Sequence, residues 1–178
     1  MTRSITASAL AVLVSLAAAL PATASATDDV RAAMMKFAGL NSFRMTMDKG
    51  GTMDFVRPNS MHMSASGMEM YAIGSTMYMR RGAQGWMKIQ NRGNGPADVG
   101  DWTRMTREKA NDVTATDLGM RSVGGETYHA YRTTSKGKDS STVYVGRDGF
   151  VHRVDSGGLG HGVTFSNFNG IAPFRAPI

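Results

Sequence analysis

The chain has 178 residues, 20 basic against 14 acidic, a formal net charge of +6 and no cysteine. Disulfide frameworks and thiolate chemistry are therefore excluded, and the length suits one domain with its own core. The basic residues are scattered, with Arg80-Arg81 the one adjacent pair. That pattern argues against nucleic acid as a partner and reads as surface solubility, with some affinity for anionic membranes.

Residues 1–26 read as an export signal. Arg3 supplies the positive start, Ala9 to Leu20 the apolar stretch, and Ala22-Thr23-Ala24-Ser25-Ala26 the small residues of a cleavage site, expected after Ala26. The apolar stretch is too short for an ordinary membrane span, and no cysteine follows it to carry a lipid anchor. The expectation is an exported, soluble, periplasmic monomer made of a single domain, residues 27–178.

Asp28 to Leu40 carries Val30, Ala33, Met34, Phe37 and Leu40 at helical spacing, with Thr27, Asp28 and Asp29 as cap and acidic first turn. Gly39 and Asn41 follow as terminators. The period then changes from 3.6 to 2. Phe43, Met45 and Met47 alternate with polar residues, and Gly50-Gly51 turns the chain into Met53 and Phe55. Arg57-Pro58-Asn59 interrupts the pattern before Met61 and Met63, and Gly67 turns it into Met68 and Met70. Gly74-Ser75 leads into Met77 and Met79, and Trp86 to Ile89 closes a meander of five or six short strands.

Gln90 to Gly100 is a polar loop, and Asp101 to Asn111 a short helix with Arg104 and Glu108 paired at i,i+4. Strand periodicity returns at Val113 to Val123 and Glu126 to Thr134, about the turn Gly124-Gly125. A polar loop over Ser135 to Ser140 precedes a second hairpin, Ser141 to Gly146 and Phe150 to Asp155. The glycine run Gly157 to Gly162, a last strand Val163 to Phe168 and a proline-containing tail complete the chain. The fold class is α+β, mainly β: one antiparallel sheet with an N-terminal helix and a second, shorter one.

Nine methionines fall between residues 45 and 79, mostly two apart. In strands such pairs share a face. Met45, Met47, Met53, Phe55, Met61, Met63, Met68, Met70, Met77 and Met79 would then surface one side of the sheet, with Met34 and Phe37 of the helix above it. Methionine is unbranched and polarizable, suited to irregular apolar shapes. Burial of one is worth about 1.5–3 kcal/mol, and each acyl methylene buried about 0.8 kcal/mol. The same face is equally satisfied by its own helix as a filled core, and the two arrangements are compatible if the helix moves aside.

Several stretches resemble the periplasmic outer-membrane lipoprotein-carrier superfamily of LolA/LolB-like half-barrels. Leu40-Asn41-Ser42-Phe43-Arg44-Met45 is similar to the family's passage from first helix to first strand, and Phe55-Val56-Arg57-Pro58-Asn59 to its Arg-Pro-Asn at an early strand end. Ile73 to Tyr78 resembles an early hairpin turn, and Val143-Tyr144-Val145-Gly146-Arg147-Asp148-Gly149-Phe150-Val151-His152 the late hairpin. The resemblance implies an unclosed antiparallel β-barrel whose concave side is covered by a helical lid and accepts acyl chains of a lipid or lipoprotein. It implies a donor or acceptor protein at a membrane as a possible partner. It also implies that Arg57 latches the lid.

Two other functions compete. Soft sulfur donors select Cu(I), and Met61-His62-Met63 has the look of a copper motif, although strand geometry turns His62 away from both neighbours. A sensing module that reports on lipoproteins through a membrane-anchored partner is the other. Catalytic signatures are missing from the sequence: no H-E-x-x-H, no G-x-S-x-G, no phosphate loop, and four histidines without ligand spacing. The expectation is a non-enzyme that needs no cofactor and has no dedicated metal ligands.

Overall fold

The structure, a computed structural model, describes residues 25–90, 99–135, 138–156 and 161–178. Residues 1–24, which hold most of the expected export signal of residues 1–26, residues 91–98 of the expected polar loop, residues 136–137 and residues 157–160 lie outside the described residues.

Helix α1 runs over Ala26–Ala38. The Ser25 side chain accepts a hydrogen bond from the Asp28 amide at 3.2 Å, and Asp28 and Asp29 place negative charge at the positive end of the helix dipole. The helix thus begins two residues before the expected Asp28, because Ser25 and not Thr27 is the cap. Thr27 is used elsewhere: its Oγ1 accepts from the Ala115 amide at 3.0 Å. Leu40 lies beyond the helix end, yet it is buried in the same core.

Six strands follow as a meander: β1 (Ser42–Met47), β2 (Thr52–Val56), β3 (Ser60–Ala65), β4 (Met68–Ile73), β5 (Thr76–Arg81) and β6 (Met87–Gln90). Helix α2 (Val99–Asp112) runs directly into β7 (Val113–Val123), and β8 (Glu126–Ser135), β9 (Lys138–Val145), β10 (Val151–Ser156) and β11 (His161–Ser166) complete the sheet. The strand order is β6-β5-β4-β3-β2-β1-β11-β10-β9-β8-β7, antiparallel throughout, with β6 and β7 as two unjoined edges. This is an unclosed half-barrel with two helices.

Two expected loops are shorter in the structure. Ser135 pairs with Lys138, so β9 starts three residues before the expected Ser141. His161 pairs with Ser156 and so opens β11 instead of lying in the glycine run. The final strand correspondingly stops at Ser166, where Asn167 and Asn169 take positive φ and turn the tail. Ile171 then donates to Ser42 Oγ at 3.1 Å, and Phe174 reaches the rings of His62 and Tyr71, with centroids 5.9 and 5.7 Å away.

The two meanders are joined where β1 pairs with β11. An ion-pair cluster fixes that seam. Arg153 Nη1 and Nη2 donate to the Asp48 carboxylate at 2.9 and 2.5 Å, and the Gly162 amide donates to Asp48 Oδ2 at 2.9 Å. The Arg153 hydrogen bond holds Asp48 below the usual carboxylate range. Gly162 suits this packing, since a Cβ there would lie 1.9 Å from Arg153 Nη2 and force the guanidinium to shift.

The main core lies under α1. Phe37 sits 4.8 Å from Phe43 and 4.9 Å from Phe165, ring centroid to ring centroid, and Phe43 stacks on Phe55 at 4.8 Å. Edge-to-face and offset pairs of this kind add to the apolar burial they accompany.

Candidate ligand-binding face

Residues directly opposed in antiparallel strands project from the same face. The register therefore draws a continuous row across seven strands: Phe165 faces Met45, Met45 faces Met53, and Met53 faces Met63. Met63 then faces Met70, Met70 faces Met79, and Met79 faces Met87. A second row runs Phe43, Phe55, Met61, Ala72, Met77 and Ile89. Met47 opposes Val163, and Met68 opposes Ala65. All ten sheet residues expected from the sequence lie on this face, which is the face that carries the Phe43–Phe55–Phe37 core. Met87 and Ile89 belong to it as well; they escaped notice in the sequence because the last strand is short and carries no second methionine.

The opposite face is polar. Arg44 donates to Asp54 through Nε and Nη2 at 2.6 and 2.8 Å, and His62 Nε2 lies 3.2 Å from Glu69 Oε1, with the Tyr71 ring stacked on it at 4.2 Å. Glu69 also takes a hydrogen bond from Arg80 Nε at 2.7 Å. Burial works to raise the Glu69 pKa, but the bonds from Arg80 and His62 outweigh it and leave it lowered. His62 is thus engaged on the far side of the sheet from Met61 and Met63, and the Met-His-Met run does not present three donors together.

Cover over the inner face is uneven. Phe43 and Met61 are 2% and 5% exposed, the remaining methionines of β1–β5 are half-buried, and Met87 and Ile89 at the edge are 55% and 42% exposed. Among the described residues this gradient follows the helices, since α1 packs against β7, β9 and β10 and against α2.

A cavity of about 600 Å³ lies between the two helices and the strands. Val143, Val151, Val154, Val163 and Phe165 form its apolar floor, and Thr106, Lys109, Thr133, Thr134, Ser135 and Ser141 form a polar end. Of the residues expected to bind ligand, Met34, Phe37 and Met45 line it. The cavity is therefore floored mainly by valine and phenylalanine, and most of the thioethers lie on the sheet face outside its lining. Its size falls within the range of about 300–1,000 Å³ usual for small-molecule sites. An apolar floor with one hydroxyl-rich, cationic end matches an amphiphile in chemistry.

Arg57, at the end of β2, bridges the helices. Its Nη2 donates to the Ala38 carbonyl at the end of α1 and to Thr103 Oγ1 of α2, the latter at 2.8 Å. Further ties went unseen in the sequence. Lys36 Nζ donates to the Asp148 carbonyl and lies 4.4 Å over the Phe150 ring, so the Gly146-Arg147-Asp148-Gly149 turn holds the end of α1. Arg31 Nε donates to the Ala110 carbonyl of α2 at 3.1 Å. Tyr131 donates to Asp29 Oδ2 at 3.2 Å, its pKa pushed up to about 12 by burial and by that carboxylate, so it remains a donor.

Among the described residues no cluster of three or more His, Cys, Asp or Glu side chains is placed to hold a metal. No described helix is long and apolar enough to cross a membrane.

No protein-family model matches the sequence, and no curated protein matches it significantly. Solved structures do match. The lipoprotein LppX of Mycobacterium tuberculosis aligns over 83% of this chain and 96% of its own, at 12% identity and a TM-score of 0.58. The Pseudomonas aeruginosa MucA/MucB complex gives 14% identity over 85% of this chain and 59% of the other, with a TM-score of 0.43. A LolA superfamily protein from Nitrosomonas europaea gives 11% identity over 81% and 92%, with a TM-score of 0.26. The likeness of fold rests on the first of these.

Proposed function

The chain folds as a LolA/LolB-like half-barrel, and from that premise we propose that it is an exported, non-enzymatic carrier of acyl chains. The chain of a lipid or lipidated peptide enters the cavity between the helices and the sheet. Its exposed remainder lies along the thioether face. The observation that carries this reading is the cavity itself: about 600 Å³, floored by Val143, Val151, Val154, Val163 and Phe165, with Met45 of the methionine row in its lining. At about 0.8 kcal/mol per buried methylene, a handful of methylenes in that space gives affinity without a specific polar contact. Thr106, Thr133, Ser141 and Lys109 supply partners for a polar head.

In this reading Arg57 latches the lid, because one guanidinium nitrogen holds both helices at once. Met35 and Met105, 45% and 46% exposed on the helices, would be the apolar contact points for a membrane or a membrane-anchored donor or acceptor. The test is organic extraction of the exported protein purified from its own cells, paired with native mass spectrometry. Lipid recovered near one per chain supports the carrier. Protein that is empty, and stays empty after incubation with fatty acid or phospholipid vesicles, refutes it.

A further inference from the structure

Ten of the inward positions on β1–β6 are methionine, and no leucine occurs between residues 41 and 90. An apolar lining alone does not call for this, since leucine offers similar volume with better-defined rotamers. What leucine lacks is sulfur. The sheet register brings methionines of separate strands to one level.

We propose that Met53, Met63 and Met70 form a binding site for a soft monovalent cation, Cu(I). They stand directly opposed on the adjacent strands β2, β3 and β4. Neighbouring strands are about 4.8 Å apart, and opposed Cβ atoms about 4.5–5.5 Å. The three rotatable bonds of each methionine let the outer two sulfurs lean inward over Met63. Met53 and Met70 pack against the buried core, Met61, next on the same face of β3, is itself buried, and Met53, Met63 and Met70 are half-buried as residues. Thioethers are neutral and soft, and the nearest histidine, His62, is committed to Glu69 on the other face. This donor set selects Cu(I) over Cu(II) or Zn(II), which favour nitrogen and oxygen ligands. The three methionines lie on the meander strands outside the lining of the cavity, on the face over which the proposed acyl remainder runs, so the metal is tested on lipid-free protein.

The test titrates the exported protein anaerobically with Cu(I) against a colorimetric chelator, and in parallel with Ag(I) as a redox-inert probe, reading stoichiometry by native mass spectrometry. One equivalent is expected, unaffected by Zn(II), and Ag(I) shifts the methyl resonances of Met53, Met63 and Met70. The triple variant Met53→Leu/Met63→Leu/Met70→Leu loses that equivalent while keeping its circular dichroism and urea midpoint. Met79→Leu/Met87→Leu, on the same row but at the open edge, keeps it. Failure to retain either ion against the chelator overturns the proposal. So does retention by the triple variant, or a loss shared equally by the edge variant.

Discussion

Thr103→Val removes one half of the bridge made by Arg57 and leaves the other. The lost contact is a hydrogen bond from a charged donor at 2.8 Å, worth about 1.5–3 kcal/mol. Helix α2 is otherwise tied to the body by Arg31 on the Ala110 carbonyl and by its direct run into β7. At about 1.4 kcal/mol per tenfold, amide exchange by local opening in residues 103–112 should accelerate about ten- to a hundredfold. Helix α1 should hold, because Tyr131, Thr27 and Lys36 pin it independently. Arg57→Met removes both bonds, about 3–6 kcal/mol, offset in part by about 1.5–2 kcal/mol of side-chain freedom regained. A loss of about 1–4.5 kcal/mol in urea unfolding follows, with faster exchange in both helices. Hydrogen exchange read by mass spectrometry, with urea denaturation alongside, measures both effects. If both variants lose stability while residues 103–112 exchange at the wild-type rate, Arg57 is a strand-end anchor and the latch is refuted.

Lys36→Met removes the bond to the Asp148 carbonyl and the cation over Phe150. It should cost about 1–2 kcal/mol and speed exchange at the end of α1; an unchanged urea midpoint contradicts the tie. Glu69 has a pKa lowered from 4.5 in the folded state, so its contribution is present above pH 4.5 and lost as pH falls through the lower folded value. Glu69→Gln should therefore be less stable than wild type at neutral pH, with the gap closing in acid; a gap independent of pH contradicts that origin. Gly162→Ala sets a Cβ against Arg153 Nη2 and displaces it from Asp48. About 1–3 kcal/mol of destabilisation is expected, and a wild-type midpoint would show that the seam relaxes freely.

The methionine face was legible because period 2 is local: once the strands were placed, Met45/Met47 or Met77/Met79 had to share a side, and turns at Gly67 and Gly74-Ser75 kept successive pairs in register. The single antiparallel sheet with two helices followed from the periodicity, whereas its unclosed half-barrel shape was implied only by the resemblance carried by Arg57-Pro58-Asn59 and the hairpin of residues 143–152. The cavity floor was not legible. Val143, Val151, Val154 and Val163 look like any strand core, and only the β1–β11 pairing brings them beside Met45. The ties made by Lys36, Arg31 and Tyr131 join residues 79 to 112 positions apart, beyond the reach of periodicity. The loop expected over Ser135 to Ser140 was too long because Ser135 pairs with Lys138, and a polar composition of this kind suits turns and strand edges equally well.

The central claim is that acyl chains occupy the inner face. A fatty acid carrying a photoreactive diazirine near its methyl end, irradiated with the exported protein and mapped by peptide mass spectrometry, tests it directly. Adducts are predicted on Met45, Phe165 and the Val151–Val154 segment, reduced in Val154→Phe, whose larger side chain fills the cavity. Adducts confined to the outer face around Tyr71 and Phe174, or labelling unaffected by Val154→Phe, would contradict it.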